Sequence, residues 1–282
     1  KDVIFVLELS SYQLDDIKFS PDIAVVTDLF PEHMDYHNSV KNYYNAKKNI
    51  VNFQNSKNHF VYPVRNYVSN GVSNPNNKEV AIWLKDYKGK AIPFSKEIPI
   101  KASETPLIGK HNKNNIRAAV SVAKIFNVSD KVIKKAVKEF KGLPHRLEFV
   151  GQFNGIKFYD DAISTSPQST IMAIKSLKDV DTVLLGGADR GYDFSDLEKT
   201  IKKYKIKNVI LFPDSGKKIL KSKNNLNVLS TSSMEKAVNF AYKNTKKGRI
   251  CLLSSASPSY SLWKNFEEKG NQFRRFVIKL GK

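Results

Sequence analysis

The sequence predicts an α/β protein with parallel sheets, divided into two domains. Short apolar runs alternate with helical stretches along the chain, which is the pattern of α/β architecture. The length of 282 residues suits two domains at about 100–200 residues each. A helical stretch that stops at Gly142, followed by Pro144, marks a junction. We therefore expect one domain over residues 1–143 and a second over residues 144–282.

Composition and charge exclude several classes of function. Apolar runs such as residues 3–7 have about five members, whereas a membrane span needs about 20, so we expect no membrane insertion. The single cysteine, Cys251, excludes an internal disulfide framework and fits a reducing cytoplasm. The net charge of +20 is spread over both halves, and only 7 of 47 basic residues are arginine. We interpret it as a lysine-rich surface and expect no nucleic-acid partner.

The first half contains the less regular pattern of strands and helices. Ser39 fits the N-cap of a helix that runs to about Val51. Residues 59–106 are rich in Asn, Gly and Pro with short β-like runs, and Asn70-Gly71 is a hairpin signal. The other predicted elements are strands at residues 3–7 and 23–29 and helices at residues 112–126 and 130–140.

The second half alternates strand and helix regularly. Strands are predicted at residues 156–159, 182–185, 209–212 and 250–253. Helices are predicted at residues 167–177, 194–204, 234–244 and 262–280. Parallel sheets bind ligands beyond the carboxyl ends of their strands, so polar residues at those ends are the site candidates.

A carboxylate and an imidazole follow the first two predicted strands. Glu8 comes directly after five apolar residues, where a carboxylate is costly to bury unless it is paired or bound to a metal. His33 and Asp35 lie beyond the second strand. Oxygen-rich sites with one imidazole can hold Mg²⁺ or Mn²⁺. A hydrogen-bonded buried glutamate and an exposed loop histidine are the alternatives.

Polar residues near the junction fit a nucleotide. Asn112 and Asn115 share one helix face, and the start of that helix offers free N–H groups to an anionic or purine ligand. Arg146 at the junction can bind a phosphate. Capping of the helix by Asn112 and an ion pair of Arg146 at a domain interface are the alternatives.

Two loops of the second half carry further candidates. Asp161 ends a strand and leads to a helix start with Ser166 as N-cap and Pro167 as first residue. Residues 186–191 form a glycine turn after a strand and present Arg190. Each of these signals is weak when taken alone.

Taken in order, these motifs resemble the Mur ligase family, the ATP-dependent amide-forming enzymes of peptidoglycan synthesis. The resemblance runs from residue 7 to residue 276 and is poorest over residues 59–106. It implies an N-terminally incomplete central ATPase domain with a P-loop-type parallel sheet, followed by a Rossmann-like C-terminal domain that binds an amino acid. The supporting segments are residues 8–14 (ELSSYQL), residues 33–35 (HMD), the Asn112/Asn115 pair, residues 142–146 (GLPHR) and residues 254–266.

The resemblance implies a magnesium site in the first domain. Glu8 and His33 would hold Mg²⁺, with Mn²⁺ as a substitute. Lys47 matches the lysine that the family carbamylates, which would turn a cation into an anionic oxygen ligand. The neighbouring Lys48 favours the neutral amine that this reaction needs. An ordinary surface lysine is the alternative for Lys47.

The resemblance also implies the residues that contact substrates. Lys47, His33 and Asp161 would be catalytic. The family usually has lysine at the position of Arg190, and many members have lysine at that of Ile163, so these are departures from its pattern. The ATP site would be lined by His111, Asn112, Asn115, Arg146 and Asp161. The incoming amino acid would be bound by Thr165, Arg190, Ser259, Tyr260 and Phe266.

The implied reaction is the ATP-dependent addition of D-glutamate to UDP-N-acetylmuramoyl-L-alanine through an acyl phosphate. We expect a cytoplasmic monomer in which closure at residues 143–146 excludes water. The alternatives are another Mur-type ligase, a folylpolyglutamate synthase, or a non-catalytic nucleotide-binding remnant. The last one arises because the family's phosphate loop (GxxGKT/S) and UDP-sugar-binding domain are expected to precede residue 1. We therefore expect the 282 residues alone to be inactive.

Overall fold

The first part of the chain builds a three-stranded parallel sheet with helices packed around it. A computed structural model describes residues 3–29, 33–64, 77–101 and 104–282, with only the backbone of residues 35, 77, 110 and 111. The strands pair in chain order and are β1 (Ile23–Val25), β2 (His59–Tyr62) and β3 (Lys90–Pro93). The helices are α1 (Ser11–Asp15), α2 (Met34–His37), α3 (Val40–Asn52), α4 (Asn77–Trp83), α5 (Lys110–Ile125) and α6 (Asp130–Glu139).

Local signals predicted the longer helices of this part. The Oγ of Ser39 accepts a hydrogen bond from the backbone N of Asn42 at 3.1 Å, which confirms the N-cap of α3. Helices α5 and α6 confirm the two helices predicted after residue 110. Helix α4 was not predicted, and strand β1 is shorter than the predicted run over residues 23–29. The predicted hairpin signal at Asn70-Gly71 lies outside the described residues.

The structure has no strand over residues 3–7, so that prediction is wrong. These residues form no ladder with any described strand, and their side chains are exposed, with Phe5 at 80% and Val6 at 92%. A strand needs a neighbour that supplies inter-strand hydrogen bonds. The apolar run satisfies the sequence pattern of a strand, but no described neighbour pairs with it.

The second part of the chain contains a six-stranded sheet in the order β4-β5-β9-β6-β7-β8. Strands β4 and β5 are antiparallel, and the remaining neighbours are parallel. The strands are β4 (Glu148–Phe153), β5 (Ile156–Asp160), β6 (Val180–Gly187), β7 (Asn208–Asp214), β8 (Asn227–Ser230) and β9 (Ile250–Leu253). The helices are α7 (Pro167–Leu177), α8 (Ser195–Lys203), α9 (Gly216–Ile219), α10 (Met234–Asn244) and α11 (Phe266–Gly281).

The four strands predicted for this half are confirmed as β5, β6, β7 and β9. The two edge strands β4 and β8 were not predicted. Their residues are half-buried or exposed, and polar residues interrupt the apolar pattern that would indicate a strand. The N-cap of α7 is confirmed, since the Oγ of Ser166 accepts from the N of Ser169 at 3.3 Å and Pro167 is the first helical residue. Helix α11 begins at Phe266, four residues later than predicted.

Both faces of the six-stranded sheet are buried. Val183 and Leu185 of β6 pack in one core with Leu197 of α8, whereas Leu184 packs in the opposite core with Phe273 of α11. All of these side chains are fully buried. A parallel strand covered on both faces is expected to be continuously apolar, as residues 183–185 of β6 are. The α/β fold with parallel sheets is therefore confirmed, with an antiparallel edge strand added.

The chain divides into two compact units. One comprises Lys1–Thr105 with Lys110–Phe140, and the other comprises Pro106–Gly109 with Lys141–Lys282. The functional boundary between residues 143 and 144 stays a prediction. No helix within the described ranges is both long and apolar enough to cross a bilayer.

Candidate functional site

The segments that carry Glu8, His33 and Lys47 meet at helix α1 of the first unit. The Nζ of Lys47 donates to the carbonyl of Leu9, the residue after Glu8, at 3.4 Å. The ring of His33 lies 4.8 Å, centroid to centroid, from the ring of Tyr12 in α1. Three residues that are far apart in sequence are thus carried by neighbouring segments.

Helix α1 is held in place by its own cap and by a buried histidine. The Oγ of Ser10 accepts from the N of Gln13, and the Gln13 side chain accepts from the N of Ser10. The Nε2 of His37 lies 2.9 Å from the Oγ of Ser11, and the His37 side chain is buried. Sequence reasoning missed His37, although its place four residues after His33 on one short helix was a usable signal.

The donors in this region fit a hard divalent cation. Glu8 is exposed, and within the described ranges no hydrogen bond or ion pair engages its carboxylate. The backbone of His33 is in the left-handed region at φ 58°, a strained conformation that is typical of functional sites. Lys47 as an ammonium would repel the metal, whereas its carbamate would offer an oxygen. The metal-binding roles of Glu8, His33 and a carbamylated Lys47 stay predictions.

Asn112 and Asn115 lie on one face of α5, as predicted from their spacing. The Nδ2 of Asn115 donates to the Oδ1 of Asn112 at 3.2 Å. Asn112 is buried and lies in the first turn, since α5 begins at Lys110, so it is not the cap of this helix. His111 belongs to the same turn, and its side chain is outside the described part of the chain. The nucleotide-binding roles of these residues stay predictions.

In the second unit, Asp161 holds the loop that carries Arg146. Its Oδ1 accepts from the N of Leu147 at 3.2 Å, and its Oδ2 accepts from the Oγ of Ser254 at 2.7 Å. Asp161 is 2% exposed, and burial raises its pKa to about 6. Arg146 itself is exposed. The structure thus gives Asp161 a role in placing Arg146, while its direct contact with ATP stays a prediction.

A second buried carboxylate, Asp160, pairs with His145 beside the same loop. The Nδ1 of His145 lies 2.7 Å from the Oδ2 of Asp160, and both side chains are buried. His145 and Leu147, on either side of Arg146, both have positive φ angles of 59° and 46°. Such strain persists only where surrounding contacts enforce it. We call residues 145–147 the arginine loop.

The trio His145, Glu148 and Asp160 has metal-ligand chemistry but is already satisfied. Their ligand atoms lie within 4.8 Å of one another. However, the Oε1 of Glu148 accepts from Arg274 at 2.7 Å, and its Oε2 accepts from the backbone N of His145 at 2.9 Å. The Oδ1 of Asp160 accepts from the N of Ala162 at 3.0 Å. We interpret the trio as a structural network.

Residues 254–259, which we call the serine loop, follow strand β9 and are buried. The hydroxyls of Ser257 and Ser259 have no hydrogen-bond partner among the described residues. Buried polar groups are usually satisfied, so an unpartnered hydroxyl indicates a place where a ligand or water binds. Ser259 is one of the predicted amino-acid contacts, whereas Ser257 lies in the predicted segment over residues 254–266 but was given no role of its own.

The remaining predicted amino-acid contacts differ in exposure. Tyr260 is 68% exposed, whereas Thr165 is half-buried. Phe266 is half-buried, and its ring meets that of His145 edge-on at 6.0 Å. The aliphatic Ile163 is half-buried, and its backbone N donates to the carbonyl of His145 at 3.2 Å.

Arg190 stands on a loop that is bonded to the serine loop. Strands β6 and β9 are neighbours, and Gly186 N donates to Ser255 O while Ala188 N donates to Pro258 O, each at 2.8 Å. The exposed Arg190 follows directly. The guanidinium of Arg190 and the hydroxyl of Ser259 are thus carried by two loops that are joined by backbone hydrogen bonds.

An ion pair links the loop of Arg190 to helix α9. Asp189 accepts from the Nζ of Lys218 on α9, and its Oδ1 accepts from the N of Gly191 at 3.0 Å. These bonds hold the pKa of Asp189 below its ordinary value. Sequence reasoning missed Lys218, which lies 29 residues from its partner and carries no motif.

Replacement of Lys218 by methionine is expected to loosen the loop of Arg190 with little change in global stability. Lys218 and Asp189 are partly exposed, so their pairing contributes little to folding. We expect backbone amide exchange at residues 188–191 to rise a few-fold and the unfolding midpoint to stay unchanged. Lys217→Met, one residue earlier on α9, is the control. Equal exchange in the two variants would contradict the assignment.

The fold and the site together define an α/β protein that gathers polar residues at the carboxyl ends of parallel strands β5, β6 and β9. Residues 2–123 match the Mur ligase middle domain, and residues 145–257 match the Mur ligase, glutamate ligase domain. The chain belongs to the Mur ligase family, of which it contains the middle and C-terminal domains.

Two relatives agree with this assignment, and a solved structure shares the fold. The chain is 34% identical over 300 residues to the UDP-N-acetylmuramoylalanine–D-glutamate ligase of Caldanaerobacter subterraneus subsp. tengcongensis, covering 98% of this chain and 64% of that protein. It is 34% identical over 294 residues to the ligase of the same name from Acetivibrio thermocellus, covering 96% of this chain and 63% of that protein. MurF ligase from Thermotoga maritima in complex with ADP has a TM-score of 0.67 at 16% identity, covering 93% of this chain and 63% of that one. The chain thus spans slightly less than two thirds of the relatives it matches.

Proposed function

We propose that the chain supplies the nucleotide-binding and amino-acid-binding parts of a cytoplasmic, monomeric ligase that adds D-glutamate to UDP-N-acetylmuramoyl-L-alanine. The observation that carries this proposal is the joined pair of loops that present Arg190 and Ser259. A guanidinium forms charge-assisted hydrogen bonds with carboxylates, and D-glutamate has two carboxylates. The buried, unpartnered hydroxyl of Ser259 would supply a further donor.

The amino-acid site would use Thr165, Tyr260 and Phe266 in addition to those two residues. Arg190 keeps the positive charge of the lysine that the family usually has, but its planar fork allows bidentate contact with one carboxylate. Ile163 cannot donate a hydrogen bond from its side chain, so a carboxylate contact made by lysine elsewhere in the family must come from another residue or be absent here. We therefore assign most of the carboxylate recognition to Arg190.

The nucleotide contacts that we propose are given for each unit by itself. In the first unit, His111, Asn112 and Asn115 would contact ATP, and Glu8, His33 and carbamylated Lys47 would hold Mg²⁺ or Mn²⁺. In the second unit, Arg146 would contact a phosphate, and Asp161 would keep the arginine loop in place. The metal would supply positive charge that offsets the phosphates.

The reaction then needs positioning and electrostatics more than a protein nucleophile. The γ-phosphoryl group of ATP passes to the carboxylate of UDP-N-acetylmuramoyl-L-alanine, which gives an acyl phosphate and ADP. The amine of D-glutamate attacks the acyl carbon, the C–O bond to phosphate breaks, and the amine loses a proton to solvent. Arg190 and Ser259 would orient the amine by holding the carboxylates of the same molecule.

The test is an amide-forming assay on the full-length protein. Different amino acids compete as the amine substrate. We expect phosphate release that requires ATP, Mg²⁺, UDP-N-acetylmuramoyl-L-alanine and D-glutamate. Activity with lysine or diaminopimelate and none with D-glutamate would overturn the substrate assignment. Arg190→Met is expected to raise the KM for D-glutamate about 10- to 100-fold, the effect of losing charge-assisted hydrogen bonds of about 1.5–3 kcal/mol, while the KM for ATP stays unchanged. Lys217→Met is the matched control and should change neither constant.

A further inference from the structure

Lys269 of helix α11 is the most unusual charged residue in the second unit. Its side chain is fully buried, whereas lysine is almost never fully buried unless it is paired. The Nζ donates to the Oγ of Ser255 in the serine loop. It also lies 5.9 Å from the ring centroid of Trp263, which is a cation–π distance. Lys269 carries no motif and has no role in the proposed reaction.

The charged groups that face Lys269 come from the end of strand β5. Asp160 and Asp161 both act on it electrostatically and favour its charged form, while burial lowers its pKa to about 7. Asp160 is paired with His145, and Asp161 holds Leu147 and Ser254. The ammonium therefore belongs to one buried cluster with the groups that anchor the arginine loop.

The next residue, Gly270, brings the backbone of α11 against the same cluster. A Cβ at this position would lie 2.2 Å from the Nδ1 of His145 and 2.7 Å from the Oδ2 of Asp160. Neither of these short, buried side chains can move away without breaking its pair. Two consecutive residues of α11 thus touch the serine loop on one side and the base of the arginine loop on the other.

We propose that Lys269 is a positioning residue that fixes the serine loop and the arginine loop to one helix. A buried ammonium costs free energy unless every partner stays in place, so displacement of either loop leaves a charge uncompensated. Each loop is therefore anchored to the same ammonium through its own partner, the serine loop through Ser255 and the arginine loop through Asp160 and Asp161. An apolar side chain at this position could fill the volume but could not hold either partner. Only the consequence for D-glutamate affinity rests on the proposed function.

The test compares backbone amide exchange at pH 6, where the Lys269 ammonium is the main form, in four versions of the 282-residue chain: the parent, Lys269→Met, Lys269→Arg and Lys264→Met. Methionine keeps the length of the side chain and removes the charge, and Lys264 is an exposed lysine just before α11. We expect Lys269→Met to speed exchange about 10-fold in residues 254–259 and in residues 145–147, with strand β6 unchanged. Lys269→Arg should restore most of the protection, and Lys264→Met should match the parent.

Two results would overturn the proposal. One is unchanged exchange in both loops of Lys269→Met. The other is an equal rise in all segments including β6, since that indicates only a loss of global stability. If Lys269→Met does not fold, Ser255→Ala tests the proposal in its place, because it removes the hydroxyl that accepts from Lys269. We expect Ser255→Ala to loosen the serine loop, while residues 145–147 stay protected from exchange. Loss of protection in both loops of Ser255→Ala would contradict the separate anchoring of the arginine loop.

D-Glutamate affinity is a separate readout. If the parent chain binds D-glutamate, Lys269→Met should weaken that binding about 10-fold and Lys269→Arg should restore it. Absence of binding by the parent would count against the proposed function, whereas the exchange data would still decide the role of Lys269.

Discussion

Replacement of Gly187 by alanine is expected to lower the free energy of unfolding of the second unit by about 2–5 kcal/mol. Gly187 ends strand β6, and a Cβ there would lie 2.1 Å from the carbonyl oxygen of Pro258. That atom belongs to the backbone of the serine loop and accepts from Ala188 N, so it cannot rotate away. The φ of 156° adds strain for any residue with a Cβ. The loop that carries Ser259 would have to move.

Gly248→Ala is the matched control for this prediction. Gly248 also has a positive φ, 83°, but a Cβ there would meet nothing within 4 Å. Its substitution should cost about 1–2 kcal/mol from backbone strain alone. Urea unfolding in a Trp83→Phe background makes the buried Trp263 the reporter of the second unit. Equal losses in the two glycine variants would show that the close approach to Pro258 has no energetic effect.

Asp161→Asn is expected to be tolerated better at pH 8 than at pH 5. The pKa of Asp161 is about 6 in the fold against an ordinary value of 3.8, because burial penalises the charged form. A raised carboxyl pKa contributes stability that is fully present below pH 3.8 and is lost as the pH rises through 6. Asparagine does not ionise, so the variant lacks this loss. The loss of unfolding free energy caused by the substitution should be about 1 kcal/mol smaller at pH 8 than at pH 5. Compared with a pH well below 3.8, the difference should reach about 3 kcal/mol.

Asp189→Asn is the control for the pH dependence. The pKa of Asp189 is lowered by Lys218, so its contribution is lost only as the pH falls below its ordinary value. The cost of Asp189→Asn should therefore be the same at pH 5 and pH 8. Urea unfolding at the two pH values gives both differences. A cost of Asp161→Asn that grows with pH would mean that its carboxylate is stabilised, and not penalised, by its surroundings.

Sequence reasoning succeeded where the signals are local. Ser39 and Ser166 cap the helices that follow them because a side-chain oxygen next to free N–H groups needs no distant partner. Strands β6, β7 and β9 each contain a continuous apolar run, which is the pattern of strands covered on both faces. The segment over residues 3–7 has the same pattern but no described neighbour, which is why the prediction of a strand failed there.

The order of motifs also identified the family, since a motif is defined by residue types and their spacing along the sequence. The motifs do not show which buried groups pair with one another. Asp161 and Ser254 are 93 residues apart, and Lys269 reaches Ser255 from a helix that follows the serine loop. Neither Lys218 nor Lys269 stands out among 47 basic residues in the sequence.

The amino-acid sequence by itself determined the α/β class, the family and the residues to consider at each strand end. Only the tertiary structure decided which of those residues are exposed and which are buried as anchors of the loops. Arg190 remains exposed, whereas Asp160, Asp161 and Lys269 are buried together. The physical reason is that a buried charge must be compensated by partners brought in from other elements, and those partners are set by packing and not by proximity along the chain.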